Sequence, residues 1–225
     1  MKIYLTISLF LFCNFLFAQY DVDIVGNQDI TNTSGLWVTN KKINNNIKGS
    51  YLLFGDSNNI GIISTNQGRR FKVPNLNYNV KQDQIEAKIS NDSVFIFDPG
   101  KIDMVEIDNR LFKRYEGSNL FSECYLEIVG RSKEISLLKK YDVIVKEGVF
   151  NPLTLQKQSP DTYIIKTKYF IFSHNALNEI RLKKGKLLKV FDEDSEKMDI
   201  YINENNLSIK EDGDLKLIFN YHNTL

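Results

Sequence analysis

The sequence predicts an α+β fold: a curved antiparallel β-sheet of hairpins in a meander, followed by a small C-terminal helical unit. Three observations predict it. After residue 48, short runs of β-branched and aromatic residues alternate with Gly, Asn, Asp and Pro, as strands alternate with tight turns. In the last forty or so residues the apolar spacing lengthens to i, i+3, i+4, the period of a helix. The chain has 225 residues, 42% of them apolar, enough for one sizeable core.

The opening "MKIYLTISLFLFCNFLFAQ" has a positive start at Lys2, an apolar run to Phe17 and a small residue at Ala18. This is the grammar of a secretory signal peptide over residues 1–18, cleaved near Ala18. It implies an extracytoplasmic location: periplasm, outer-membrane associated or secreted. An uncleaved N-terminal anchor is the rival reading, but the run is short against the roughly 20 apolar residues that span a bilayer. No later run reaches that length, so no transmembrane span is expected in the mature chain. Leu11 and Phe12 are too large to precede a lipidated cysteine at Cys13. Removal of the signal leaves Cys124 as the only cysteine, so no internal disulfide is possible.

Residues 19–48, rich in Asn, Thr and Ser, read as a poorly ordered leader. Trp37 in "GLWV" is the exception: it pins an edge strand to the body or stacks on a ligand. Residues 49–175 form the β-rich domain. Its strands are "SYLLF", "IGIIS", "RRFKV", "LNYNV", "QIEAKI", "DSVFIFD", "DMVEID", "LFKRY", "CYLEIV", "ISLLKKYDVIV" and "TYIIKTKYFIFS". "NDSVFIF" is apolar on both faces, which places it inside a sheet. Between the last two strands, residues 148–161 carry Pro152 and Pro160 and no period, as in a flexible surface loop of the kind that often carries function.

Residues 176–225 are assigned to the helical unit packed on the sheet. Leu187, Leu188 and Phe191 make one short apolar face, and Met198, Tyr201 and Ile202 make a second. Asp192, Glu193, Asp194 and Glu196 fall where the second helix begins, near its positive dipole end. Ser208 and Glu211 have capping-box spacing before a third helix, whose inner face holds Leu215, Ile218, Phe219 and His222.

Lys and Arg number 29 against 28 Asp and Glu, and loss of Lys2 brings the balance to zero. Such a chain has no electrostatic case for nucleic acid or an anionic membrane as its main partner. His174 and His222, distant in sequence, with one cysteine do not make a four-ligand zinc set, so no metal or cofactor is assigned. "DSNNIG" from Asp56 opens like a calcium loop, but Ile60 and Gln67 stand where oxygen ligands belong. No G-x-S-x-G is present, and Glu123 and Glu127 read as charges on a solvent face, so no catalytic residue is assigned.

"NLNYNVKQDQIEAK", "PGKIDMVEI", "SLLKKYDVIVKE" and the tail "KLLKVFDEDSEKMDIYINENNLSIKEDGDLKLIFNYHN" resemble a family of uncharacterised secreted cell-envelope proteins of Bacteroidetes. The resemblance runs from residue 49 to the C-terminus, with Gly213 standing where an acidic residue belongs to the pattern. It implies an envelope location and a β-domain with a helical tail, and it carries no activity or site residue. The expected function is therefore a non-enzymatic docking or structural module, with another envelope protein as partner and residues 148–161 or a sheet edge as the docking element. The alternative is a binder of a small hydrophobic, lipid-like ligand in a groove of the curved sheet, lined by Phe95, Phe97, Tyr169 and Phe172.

Overall fold

The computed structural model describes residues 23–24, 34–39, 47–55, 59–115, 122–133 and 135–225. The signal peptide, its cleavage point and most of the leader lie outside the described residues. Strands β1 (Asp23–Ile24) and β2 (Gly35–Thr39) come from that N-terminal part. The body follows with β3 (Ile60–Thr65), β4 (Arg70–Pro74), β5 (Leu76–Asn79), β6 (Gln84–Ser90) and β7 (Ser93–Phe97). It continues with β8 (Ile102–Ile107), β9 (Arg110–Tyr115), β10 (Cys124–Ser132) and β11 (Ile135–Lys146). The last strands are β12 (Phe150–Asn151), β13 (Gln156–Lys157), β14 (Thr162–Ser173) and β15 (Ala176–Ile180).

The strands form two larger sheets rather than one. Nine are ordered β1-β4-β3-β8-β9-β10-β11-β14-β15, antiparallel except for the β1–β4 pair, and four are ordered β2-β7-β6-β5. The chain leaves the larger sheet at Pro74, which ends β4, and at Asn75, whose φ of 53° turns the corner. It returns through a single 3₁₀ turn, Pro99–Lys101, where the Asp98 carboxylate accepts the Gly100 N–H at 2.9 Å. β7, the strand apolar on both faces, lies between β2 and β6 as its pattern requires.

Alternation along β10 explains how three cores arise. Tyr125 enters a core between the two sheets, with Phe71, Tyr78, Phe95, Phe97, Val105 and Phe112. Val129, on the same face farther along, enters a second core under the helices with Leu137, Phe191, Met198, Ile218 and Phe219. Leu126 points to the opposite face and meets Tyr115, Cys124, Leu138 and Phe170. There the rings of Tyr115 on β9 and Phe172 on β14 lie 5.2 Å apart, although β10 and β11 stand between their strands. A flat sheet would hold β9 and β14 about 14 Å apart, at roughly 4.8 Å per strand. The sheet is therefore curved around this face, without closing into a barrel among the described residues.

The helical unit is α1 (Lys184–Leu188), a 3₁₀ segment (Lys189–Asp194), α2 (Ser195–Glu204) and α3 (Asp212–His222). It starts at Lys184 rather than at residue 176, because "ALNEI" extends the sheet as edge strand β15. The acidic run does lead into α2. The capping box is corrected: Glu211 is the N-cap of α3 and makes no side-chain cap bond, while the Asp214 carboxylate reaches back to the Ser208 N–H at 2.8 Å. Among the described residues no helix is long and apolar enough to cross a membrane.

Candidate functional site

Residues 148–161 are a structured hairpin. β12 and β13 pair as Phe150↔Lys157 and Asn151↔Gln156, with a turn of residues 152–155 at the tip. At its neck Gly148 N–H donates to the Asp161 carboxylate at 2.8 Å, and Val149 N–H to Ser159 Oγ at 2.8 Å. A Cβ on Gly148 would lie 1.8 Å from the Ser159 carbonyl oxygen, so no other residue fits the neck as built. The hairpin carries Val149, Phe150, Leu153 and Leu155 in water; at the tip Leu153 is 93% and Leu155 76% exposed.

A second feature lies inside. The face of β10 that carries Tyr125 and Val129 holds Glu127 between them, 3% exposed, so this carboxylate is buried and not a surface charge. The Arg110 guanidinium donates two bonds to it, each of 2.8 Å, and the Tyr141 hydroxyl also donates to it. Glu127 pairs in register with Lys139 on β11, which in turn bonds Asp212 at the start of α3. Tyr169 completes the chain, donating to Asp212 at 3.4 Å while Lys139 lies 5.3 Å from its ring centroid. Burial, the largest effect, and the Glu127 charge push the Tyr141 phenol far above its ordinary pKa, so it remains a donor. These groups form a polar seam where the inter-sheet core meets the helical core. A signal for it exists in the sequence: "Y-L-E-I-V" and "L-L-K-K-Y" each place one charge at i±2 from apolar residues of the buried face.

A third feature has the residue types of a catalytic triad. Ser132 Oγ lies 2.8 Å from His222 Nδ1, and His222 Nε2 lies 3.4 Å from Asp194 Oδ2. Ser132 is 0% and His222 4% exposed, so no substrate carbonyl reaches the hydroxyl in this arrangement. The contacts instead fasten α3 to β10 and to the 3₁₀ segment. Burial, followed by the charge of Lys133, lowers the His222 pKa, and the opposing charge of Asp194 does not fully offset them. The unfolded chain then binds more protons than the folded one below about pH 6.5, so stability falls as pH drops through and below that value. Melting temperatures between pH 7.5 and 5 should show this decline, and His222→Gln should flatten it. A profile equally steep in the variant would assign the decline to other groups.

The remaining sequence-based candidates separate. Phe95 and Phe97 lie in the inter-sheet core with ring centroids 5.0 Å apart. Tyr169 borders the helical core, and Phe172 the curved face on the other side of β14. The four do not line one groove. Phe97 lines a cavity of about 330 Å³ at the open end of the inter-sheet core. Trp37 is half exposed on edge strand β2 and packs edge-on against Phe95 at 5.3 Å. The Cys124 thiol is pushed up to about 12, chiefly by burial, and is no thiolate nucleophile. Glu123 pairs with Arg114 at 3.3 Å, apart from Glu127. Among the described residues no three His, Cys, Asp or Glu side chains gather as a metal-binding group. Comparison with family models, curated proteins and solved structures finds no match to this chain.

Proposed function

We propose that the protein is a non-enzymatic docking module of the cell envelope, placed outside the cytoplasm by its N-terminal signal, and that hairpin 148–161 docks on another protein. The observation that carries this reading is the exposure of Val149, Phe150, Leu153 and Leu155 on one projecting, well-tied hairpin. Burying such a side chain is worth about 1.5–3 kcal/mol. A hairpin already ordered by its neck loses less entropy on docking than a flexible loop would. A bilayer fits less well, because among the described residues Lys157 on the hairpin is paired with Asp161 at 2.6 Å and Lys146 is followed by Glu147. The partner should therefore offer an apolar cleft for Leu153 and Leu155.

A photo-crosslinking amino acid at Leu153, activated in intact envelope, should yield one discrete heavier adduct that contains a second polypeptide. The double variant Leu153→Asp/Leu155→Asp should lose the partner while its stability changes by no more than about 0.5 kcal/mol, as expected at exposed sites. Crosslinks to lipid alone, or an unchanged adduct when the crosslinker sits on the sheet far from the hairpin, would overturn the proposal. The runner-up, a binder of a small hydrophobic ligand, draws on the cavity beside Phe97.

A further inference from the structure

We propose that this cavity is a binding site for a small amphipathic anion, an apolar chain of medium length ending in a carboxylate. It lies between the β3–β4 hairpin and the returning segment after β7, away from hairpin 148–161, and does not depend on the docking role.

The floor is apolar. Ile63, Phe71, Phe97 and Ile102 are 2%, 5%, 3% and 8% exposed and belong to the inter-sheet core. Its volume of about 330 Å³ stands at the lower end of small-ligand clefts, which run from about 300 to 1,000 Å³. A chain of modest length fits; a two-tailed lipid does not.

The rim decides the charge of the head group. Asn66 is occupied, its side-chain N–H donating to the Gly100 carbonyl at 2.9 Å, and the Asp98 carboxylate accepts the Gly100 N–H. Two cations, Arg69 and Lys101, stand on the rim against the one carboxylate of Asp98, which leaves the rim net positive, and among the described residues neither cation has an ion-pair partner. The Arg69 guanidinium lies 4.8 Å from the centroid of the Phe71 ring, so its fork of donors is held over an aromatic side chain of the floor. The loop that carries it is closed by the Thr65 N–H on the Arg69 carbonyl at 2.9 Å and by the Gly68 N–H on the Thr65 carbonyl at 2.9 Å. Gly68 has a φ of 79°, a conformation that suits glycine in such a turn. Isolated surface cations are ordinarily just solvated. Here a planar donor set adjoins an apolar floor, and a carboxylate accepts both donors of one guanidinium edge. A carboxylate head with its chain on Phe71 and Phe97 satisfies both parts of the cavity.

The test is calorimetric titration of the full chain, freed of its signal, with decanoate below its micellar concentration and with decanol as the neutral control. Decanoate should bind saturably at one site, at least tenfold more tightly than decanol. Arg69→Gln/Lys101→Gln should weaken decanoate at least tenfold and leave decanol unchanged, with the Ile63 and Ile102 methyl resonances moving only when ligand is bound. Because both changed residues are exposed, folding should survive; Lys101→Gln alone, with added salt, gives the same reading if it does not. No saturable binding, equal binding of decanol, or equal binding by the double variant would each overturn the proposal. The Leu153→Asp/Leu155→Asp protein should bind decanoate unchanged, which separates failure here from failure of the docking reading.

Discussion

Replacing Glu127 by alanine should destabilise the protein by about 3–5 kcal/mol, the range for removing one partner of a buried ion pair. The loss has two sources. Arg110, whose guanidinium makes two 2.8 Å bonds to Glu127, would keep its charge beside Phe54 and Phe112 with its directly bonded counter-ion gone and only the more distant Asp212 left. Tyr141 would lose the acceptor of its hydroxyl, and an orphaned buried donor costs about 1–3 kcal/mol by itself. The guanidinium side chain is 29% exposed and borders an open cavity of about 310 Å³, so water can enter and holds the total toward the lower end. Urea unfolding midpoints measure the effect. The double variant Arg110→Met/Glu127→Leu should be milder than Glu127→Ala, because no charge is stranded. A loss below about 1 kcal/mol for Glu127→Ala would mean that the seam is already solvated.

Glu127 also shows where reading the sequence stops. In "CYLEIV" the default for a strand carboxylate is a solvent face. Tyr125 and Val129 flank it on one face, which could have placed it inward, but its partners come from the start of β9 and the middle of β11. Local spacing cannot name partners that only the register brings together. The same limit hides the second sheet. Alternation tells which residues share a face, so β5, β6 and β7 were legible as strands, but not that Pro74 and Asn75 send them to a different layer. β15 escapes because "ALNEI" buries only Leu177 of its five residues and carries Asn and Glu outward. The helices were legible because Met198, Ile202, Leu215, Ile218 and Phe219 repeat at helical spacing and all are buried. Residues 148–161 read as a flexible loop and form a hairpin instead, since strands of two residues leave no period to detect.

Replacing Phe219 by alanine should cost a further large amount, about 3–5 kcal/mol for emptying a phenylalanine site in a core. Phe219 is 0% exposed, packs at 5.3 Å edge-on to Phe191, and lies so close to β10 that a Cβ on Gly130 would come within 2.7 Å of its ring. Close approach of helix to strand at Gly130 means the backbone cannot move inward to fill the hole. The more informative question is how the loss spreads. The helical core and the inter-sheet core share one face of the sheet and meet at the polar seam, with Lys139 bonded to Asp212 across it. Trp37, the only tryptophan, packs on Phe95 in the smaller sheet and reports on that remote core. If the seam couples the cores, Trp37 fluorescence and helical circular dichroism of Phe219→Ala should fall together at one lowered urea midpoint. If the dichroism falls first and the fluorescence keeps its original midpoint, the helices unfold as a separate unit, and the seam is a boundary between two cooperative parts. Coupling is the expected result, because α3 is fastened at both ends: Asp212 to Lys139, and His222 to Ser132 at 2.8 Å.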